Sequence, residues 1–295
     1  QKFEGIHFYV NVANFNEVVI DEESKNGKVN HSIHALDTFF SGIESFGKKN
    51  FPEKYVIEKI TGARLHMYVV DDVNEAYEIV EEVVKFAGAL SRYLNNDIAK
   101  YKTLIDFKIQ VGACFGSFYN FEFKRQNADE ETTIGYAANY AAKLQGLCNI
   151  GNIAISSNIF DTFNEEKKSK YVKHTSAKVQ KYGEDCYYEM SISKLTGNID
   201  YSESLRASKE YANKVNLTDM TFRKPIKSVA FEELSKKECK EREGITLFAD
   251  VRGFTSQFDN DDTNLEEMAV KTQNILTTMY DQVTVNHGIH VQFQG

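Results

Sequence analysis

The chain has 295 residues, 42% of them apolar, and a formal net charge of -8. That is enough apolar material for one complete domain and part of another. The acidic balance argues against a nucleic-acid backbone or an anionic membrane surface as the main partner. No apolar run approaches 18 residues, so no membrane span is expected. Four scattered cysteines, Cys114, Cys148, Cys186 and Cys239, have no metal-type spacing and read as reduced cytoplasmic thiols. The start, Gln1-Lys2-Phe3, lacks both Met and a signal-peptide pattern, which leads us to expect a trimmed N-terminus.

Taken in order, Gly5 to Val12 reads as a strand, and Asp21 to Lys28 as a polar loop. A helix is expected over Asn30 to Phe46, with Ile33, Leu36, Phe39, Phe40 and Ile43 on its apolar side. Lys54–Ile60 and Arg64–Val70 form two strands joined through Gly62, a hairpin pattern. Asp71-Asp72 caps a long amphipathic helix to about Leu94. Leu104 to Tyr119 is strand-like and is expected to turn at Gly116, with a charged loop over Phe121 to Glu131. Thr132 or Thr133 is expected to open a helix to Leu147. Gly151–Ser156 and the Tyr-rich stretch Lys178–Ile192 close the sheet. The order is β-α-β-β-α-β with additions, an α+β class of the ferredoxin-like type. A polar connector covers residues 193–243.

The last stretch, 244–295, opens with Ile245-Thr246-Leu247-Phe248-Ala249, which reads as a buried strand ending in the acid Asp250. Arg252-Gly253 makes a turn, and a helix follows with Leu265, Met268, Thr272, Ile275, Leu276 and Met279 three and four apart. Gly288 ends it, and Ile289 to Gly295 starts another strand. Setting Phe15 against Phe254 pairs FYVNVANF with LFADVRGF, and pairs Lys59–Ala63 (KITGA) with QFQG at the end, an internal repeat.

FADVRGFTS, a helix and HGIHVQFQG together resemble the opening half of a class III adenylate/guanylate cyclase catalytic domain. The resemblance extends over most of Phe3 to Ile192. FKIQVGACFG (Phe107–Gly116) is similar to the family's strand ending V-G-I-x-x-G. IGYAANYAAKL (Ile134–Leu144) is similar to its G-x-x-V-N-x-A-A-R-L helix, and GNIAIS (Gly151–Ser156) to the strand after it. The resemblance implies residues 3–192 as one cyclase domain and 244–295 as the first part of a second.

It also implies a division of labour. The family's two metal aspartates fall on Asn11 and Ala63 in the first domain, and neither supplies an anionic oxygen for Mg²⁺ or Mn²⁺. In the second domain the first aspartate is Asp250, and its partner is expected just past Gly295. Asn139 takes the position that holds the ribose and transition state. Lys143 takes that of the arginine on the leaving phosphates, charged but without the bidentate fork. A buried Asn139 needs polar partners. Backbone amides at Gly253, Phe254 and Thr255 would hold phosphate oxygens, and Lys181 reads first as an exposed loop lysine and only second as a further phosphate cation. A competent site would form between the two domains, or with another chain, around two metal ions. Its product would be a 3′,5′-cyclic nucleotide, with pyrophosphate leaving.

For the base, the family's adenylate pattern pairs a lysine with an aspartate. Lys59 stands at the first place and Thr132 at the second, and a threonine has no carboxylate for the adenine amino group. The guanylate Glu-and-Cys pair is absent too. The implied substrate is therefore CTP or UTP, as in the Pycsar-type pyrimidine cyclases of bacterial anti-phage signalling. An adenylate cyclase with an unusual pocket, or a non-catalytic nucleotide-binding pair, are the alternatives.

Overall fold

The computed structural model describes residues 2–123, 130–214, 221–223, 238–240, 245–251, 265–286 and 288. Its centre is an antiparallel motif. β1 (Lys2–Val12) leads to α1 (Phe15–Asn26) and α2 (Asn30–Asn50), and β2 (Tyr55–Thr61) turns into β3 (Arg64–Val69). α3 (Val73–Asp97) then crosses back to β4 (Ile109–Phe123). β1 pairs antiparallel with both β3 and β4, giving the order β2-β3-β1-β4 expected of the ferredoxin-like pattern. β5 (Glu130–Ile134) pairs with the far end of β4, and α4 (Tyr136–Leu147) follows. β6 (Asn152–Ile155) lies parallel to β4. After α5 (Ser157–Asp161) and α6 (Glu165–Lys168), β7 (Val172–His174), α7 (Ala177–Gln180) and β8 (Tyr187–Ser191) extend the sheet as β6-β8-β7.

Both sheet faces are covered, which is why β1 is buried on consecutive residues rather than alternate ones. Ile6, Phe8, Val10 and Val12 join Leu65, Met67 and Val69 of β3 under the α2 and α3 side, where Phe39, Ile43, Val80, Val83, Ala87 and Leu90 pack. Tyr9 lies on the opposite face with Cys114, Ala137, Tyr140, Ala141 and Leu144 under α4. Cys114, Cys148 and Cys186 are buried and free.

The Asp72 cap is present: its Oδ1 accepts from the backbone amides of Asn74 (3.0 Å) and Glu75 (3.3 Å). The hairpin turn is present too, with Gly62 in the left-handed region at φ +58°.

Four expectations are corrected. Residues 21–26 are not loop but the second half of α1, whose only buried side chains are Val18 and Glu22. Its one polar anchor explains its presence. The Glu22 carboxylate accepts from the amides of His31 (3.0 Å) and Ser32 (2.8 Å) and so caps the free N-terminus of α2. Burial alone would raise the Glu22 pKa, but the hydrogen bonds from Ser32 and His31 outweigh it and hold it below the usual value. β4 starts at Ile109 and runs through Gly116 without turning, because Gly116 stays paired to Gly5 of β1. Glu130–Glu131, with Thr132 and Thr133, belong to β5, so the helix begins two residues later, after Gly135.

The fourth correction concerns residues 245–251. They form no strand and are not buried: Ile245 is 100% exposed, and Leu247 and Phe248 are each 79% exposed. An isolated strand has no ladder partner for its amides and carbonyls, so the apolar run alone does not create one. The following helix is present as α9 (Leu265–Val285), with Met268 and Thr272 buried. β9 (Thr221–Arg223) and β10 (Glu238–Lys240) pair in parallel in the connector region, ahead of it in the chain. The expected turn at Gly253 and the strand from Ile289 lie outside the described residues. Within the connector, α8 (Ser202–Lys214) rests on α2, with Lys49 bonded to Glu203 (2.6 Å) and Tyr211 to Asp37 (2.6 Å).

α4 lies unusually close to the sheet. A Cβ at Gly112 would stand 2.1 Å from the Gln145 nitrogen and 2.3 Å from the Ala141 carbonyl oxygen, both helix backbone. Gly112→Ala should therefore push α4 off β4 and destabilise the chain by about 3 kcal/mol or more. Chemical denaturation of the variant beside the parent protein checks this; an unchanged midpoint would show that the helix yields freely.

Candidate functional site

α4 begins where β5 ends, and the turn between them leaves no room for a side chain. A Cβ at Gly135 would meet the Ser117 carbonyl oxygen at 2.7 Å and the Phe118 Cα at 2.9 Å. The helix buries Ala137, Ala138, Tyr140, Ala141 and Leu144, and leaves Asn139 and Lys143 half-buried, one turn apart on its other side. Asn139 is thus not the enclosed amide that the alanine-rich setting implied. Neither its side chain nor that of Lys143 meets a hydrogen-bond or ion-pair partner among the described residues. Two polar groups held on a rigid element without partners are available to a ligand.

Lys59 and Thr132, 73 positions apart, come together: Lys59 Nζ donates to Thr132 Oγ1 at 3.3 Å. The residue that sequence reading missed is Glu58. The β2–β3 register slips between Ile57 and Lys59, a bulge that breaks the strict alternation of the strand. Glu58 and Lys59 therefore both reach Thr132. Glu58 Oε1 accepts from Thr132 Oγ1 (3.0 Å) and from the Thr133 amide (3.1 Å), and Oε2 accepts from the Thr133 hydroxyl. Lys59 Nζ is 3.6 Å from Oε1, and the Glu58 side chain is only 4% exposed. Strand periodicity alone placed Glu58 on the other face, and only the paired register reveals the slip.

Behind Glu58 stand two buried histidines. His66 Nδ1 is 3.2 Å from Glu58 Oε2, and His66 Nε2 is 2.9 Å from His7 Nδ1. The first contact has ion-pair distance without hydrogen-bond alignment, since His66 Nδ1 has no hydrogen-bond partner. Burial, above all, lowers both histidines well below the ordinary value; His66 opposes His7, and Lys59 and Arg64 oppose His66. Both rings are neutral. Although His7, Glu58 and His66 lie within 4.8 Å of one another, Glu58 and His7 meet opposite nitrogens of the His66 ring. They flank the ring instead of converging on one point, so the group is a polar chain and not a chelate.

The hairpin end of β1 and β3, just along from Tyr9 and His66, carries Asn11 and Ala63. The Val12 amide donates to the Ala63 carbonyl at 2.9 Å, and Asn11 pairs in register with Arg64. These two positions thus sit side by side, yet offer no carboxylate. Arg64 lies over the Tyr9 ring at 5.0 Å, placing a fixed cation there. Among the described residues, the groups that could hold a metal are His7/Glu58/His66 and Asp71/Asp72/Glu75, and neither contains Asn11, Ala63 or Asp250. Asp250 is exposed in the unpaired 245–251 stretch, and Lys181 ends α7. Gly253, Phe254 and Thr255 lie outside the described residues. The residues present therefore do not fit a two-metal centre: a single exposed carboxylate is the whole of the described donor set at those positions.

No family model matches the sequence, and no curated protein matches it either. Solved structures do. The adenylyl cyclase CyaB from P. aeruginosa superposes with a TM-score of 0.53 at 15% identity, over 67% of this chain and 98% of that one. The guanylyl cyclase Cya2 gives 0.50 at 11% identity, over 66% and 94%. A bacterial light-regulated adenylyl cyclase gives 0.50 at 13% identity over 71% of this chain, which spans 57% of the length of that one. At such identities the likeness is one of fold. The chain has the α+β fold of a nucleotidyl cyclase catalytic domain, of the class III adenylyl and guanylyl type. No described helix is long and apolar enough to cross a membrane.

The buried histidines set a pH dependence. His7 and His66 lie well below 6.5 in the folded chain, and burial brings His34 down to about 4. Each binds a proton more readily unfolded than folded, so unfolding takes up protons below the ordinary histidine value of 6.5 and stability falls as pH drops. Above it these groups contribute no slope. The loss should reach up to ~1.4 kcal/mol per pH unit for each histidine. Urea midpoints followed from neutral to acid pH test this, with His34→Gln expected to show a shallower acid limb. A flat profile would mean that the rings bind protons as readily in the fold as in the unfolded chain.

Proposed function

We propose that this chain is a nucleotidyl cyclase, converting a nucleoside triphosphate to its 3′,5′-cyclic nucleotide and pyrophosphate. The observation that carries the reading is the contact between Lys59 and Thr132, which joins the two base-pocket positions of the cyclase pattern beside the helix bearing Asn139 and Lys143. In this reaction the 3′-oxygen forms a bond to the α-phosphorus, the bond from that phosphorus to the β-phosphate oxygen breaks, and the hydroxyl proton is lost. Asn139 would orient the ribose, and Lys143 would neutralise charge gathering on the departing pyrophosphate. Catalysis of this kind rests on placement and charge, which a pair of polar groups on a packed helix supplies. Magnesium or manganese would be held by Asp250 together with a second carboxylate, while the amides of Gly253, Phe254 and Thr255 would take phosphate oxygens. The described residues supply only Asp250, so no step is derived through the metals. The site would be completed by the rest of the second domain or by another chain.

For the base, we propose a pyrimidine, CTP or UTP, and a role for the product as a second messenger in anti-phage signalling, as the Pycsar resemblance implies. What supports it is that the carboxylate in the pocket is spoken for. Glu58 already receives Thr132 and both donors of Thr133, leaving the base an ammonium and a hydroxyl. The presence of that same carboxylate is what favours the second reading, an adenylate cyclase whose acidic group has moved from β5 to β2.

The test is turnover of CTP, UTP, ATP and GTP with Mn²⁺, products identified by mass spectrometry. Cyclic CMP or cyclic UMP is expected, lost in Asp250→Ala, and reduced about 10²-fold in Asn139→Ala and Lys143→Ala. Cyclic AMP alone would transfer support to the second reading. Binding without any product would leave a non-catalytic nucleotide-binding pair.

A further inference from the structure

We infer that Glu58 is a positioning residue that makes the Thr132 hydroxyl a hydrogen-bond acceptor only, and that the pocket thereby selects cytosine over uracil. The inference rests on the nucleotide-site reading above and narrows it. A threonine hydroxyl has one proton and two lone pairs. Here the proton points to Glu58 Oε1 at 3.0 Å, and one lone pair takes the Lys59 ammonium at 3.3 Å. The direction is forced. Lys59 can only donate, so Thr132 must accept from it. Glu58 Oε1, which also takes the Thr133 amide at 3.1 Å, can only accept from Thr132. Among the described residues Thr132 keeps one lone pair that neither Glu58 nor Lys59 takes, for a group bearing an N–H. The exocyclic amino group of cytosine satisfies it, with Lys59 free to donate to a ring nitrogen or O2. The O4 of uracil in the same place would set oxygen against lone pair.

Two features keep Glu58 in this role. The bulge between Ile57 and Lys59 turns it towards β5 although its neighbour Lys59 reaches the same threonine. The Thr133 hydroxyl donates to Oε2, and the His66 ring lies 3.2 Å behind it, so the carboxylate is committed to the protein and is not itself offered to a ligand. Its side chain is 4% exposed.

The experiment measures equilibrium binding of 3′-deoxy-CTP and 3′-deoxy-UTP, which cannot cyclise, to the full chain and its variants. The parent protein should favour the cytosine analogue by about tenfold or more. Glu58→Gln should keep that preference, because an amide oxygen facing the Thr133 N–H still takes the Thr132 proton. Glu58→Ala and Thr132→Val should both bring the two affinities within about twofold. Each variant's thermal unfolding is recorded beside the parent's. If Glu58→Ala does not fold, Glu58→Asp, which withdraws the carboxylate by one methylene, replaces it. Preference unchanged in the alanine (or aspartate) and valine variants, no preference in the parent, or binding of neither analogue would each overturn the inference. Cytosine preference without turnover would leave it standing and remove the cyclase reading instead.

Discussion

The whole arrangement depends on how closely one helix is allowed to approach one strand. Gly112 on β4 lies against the backbone of α4 at Ala141 and Gln145, and Gly135 lets the chain pass Ser117 and Phe118 on its way from β5 into the helix. From the helix side Ala141 meets Gly112, and Ala137 meets Gly116 of the same strand. Bulk on either partner would lift α4 away from the sheet. Because the apolar and small residues are used up on the inner side, Asn139 and Lys143 are left on the outer side by default, on an element with little freedom to shift. Placement of the polar pair is thus a consequence of packing.

Much of this was legible beforehand. The apolar run of β1, the Gly62 turn and the Asp72 cap each rest on local chemistry, and each is found where the residues put it. The α4 helix was legible too, although its start was not. Thr132 and Thr133 were read as caps because hydroxyls favour helix N-termini, but they extend the ladder of β4 at Phe121 and Asn120 instead. α1 was missed because its sequence is polar nearly throughout, and what fixes it is one long-range carboxylate, Glu22, capping the next helix. The run at Ile245 shows the opposite error. Hydrophobicity creates demand for burial, but a strand also needs a neighbour to take its amides and carbonyls.

At the candidate site the same division holds. Lys59 and Thr132 were paired by the resemblance to the cyclase pattern, and they do meet. Glu58 was invisible because a bulge is a property of two strands in register, not of either strand alone. The loss of acid at Asn11 and Ala63 was also readable, and the fold adds a reason why it is stable. Arg64, paired in register with Asn11 and lying over Tyr9, supplies positive charge at that end of the sheet. A fixed guanidinium and a divalent cation would compete for the same space and repel one another. This end of the sheet therefore disfavours a divalent cation.

The proposed base pocket rests on electrostatics in a confined space. A buried carboxylate beside an ammonium needs its remaining lone pairs filled, or burial becomes costly. Here Thr132, Thr133 and His66 surround it, and neutral His7 lies behind His66, so no further charge enters the chain. Moving the acid from β5, where the cyclase pattern has it, to β2 changes what a base would meet. A carboxylate at position 132 would face the base directly. With Glu58 behind it, Thr132 becomes the facing group and passes on only the acid's preference for receiving a proton. The charge is spent inside the protein and its directionality is what reaches the pocket, a weaker handle than an ion and one better matched to a smaller base edge.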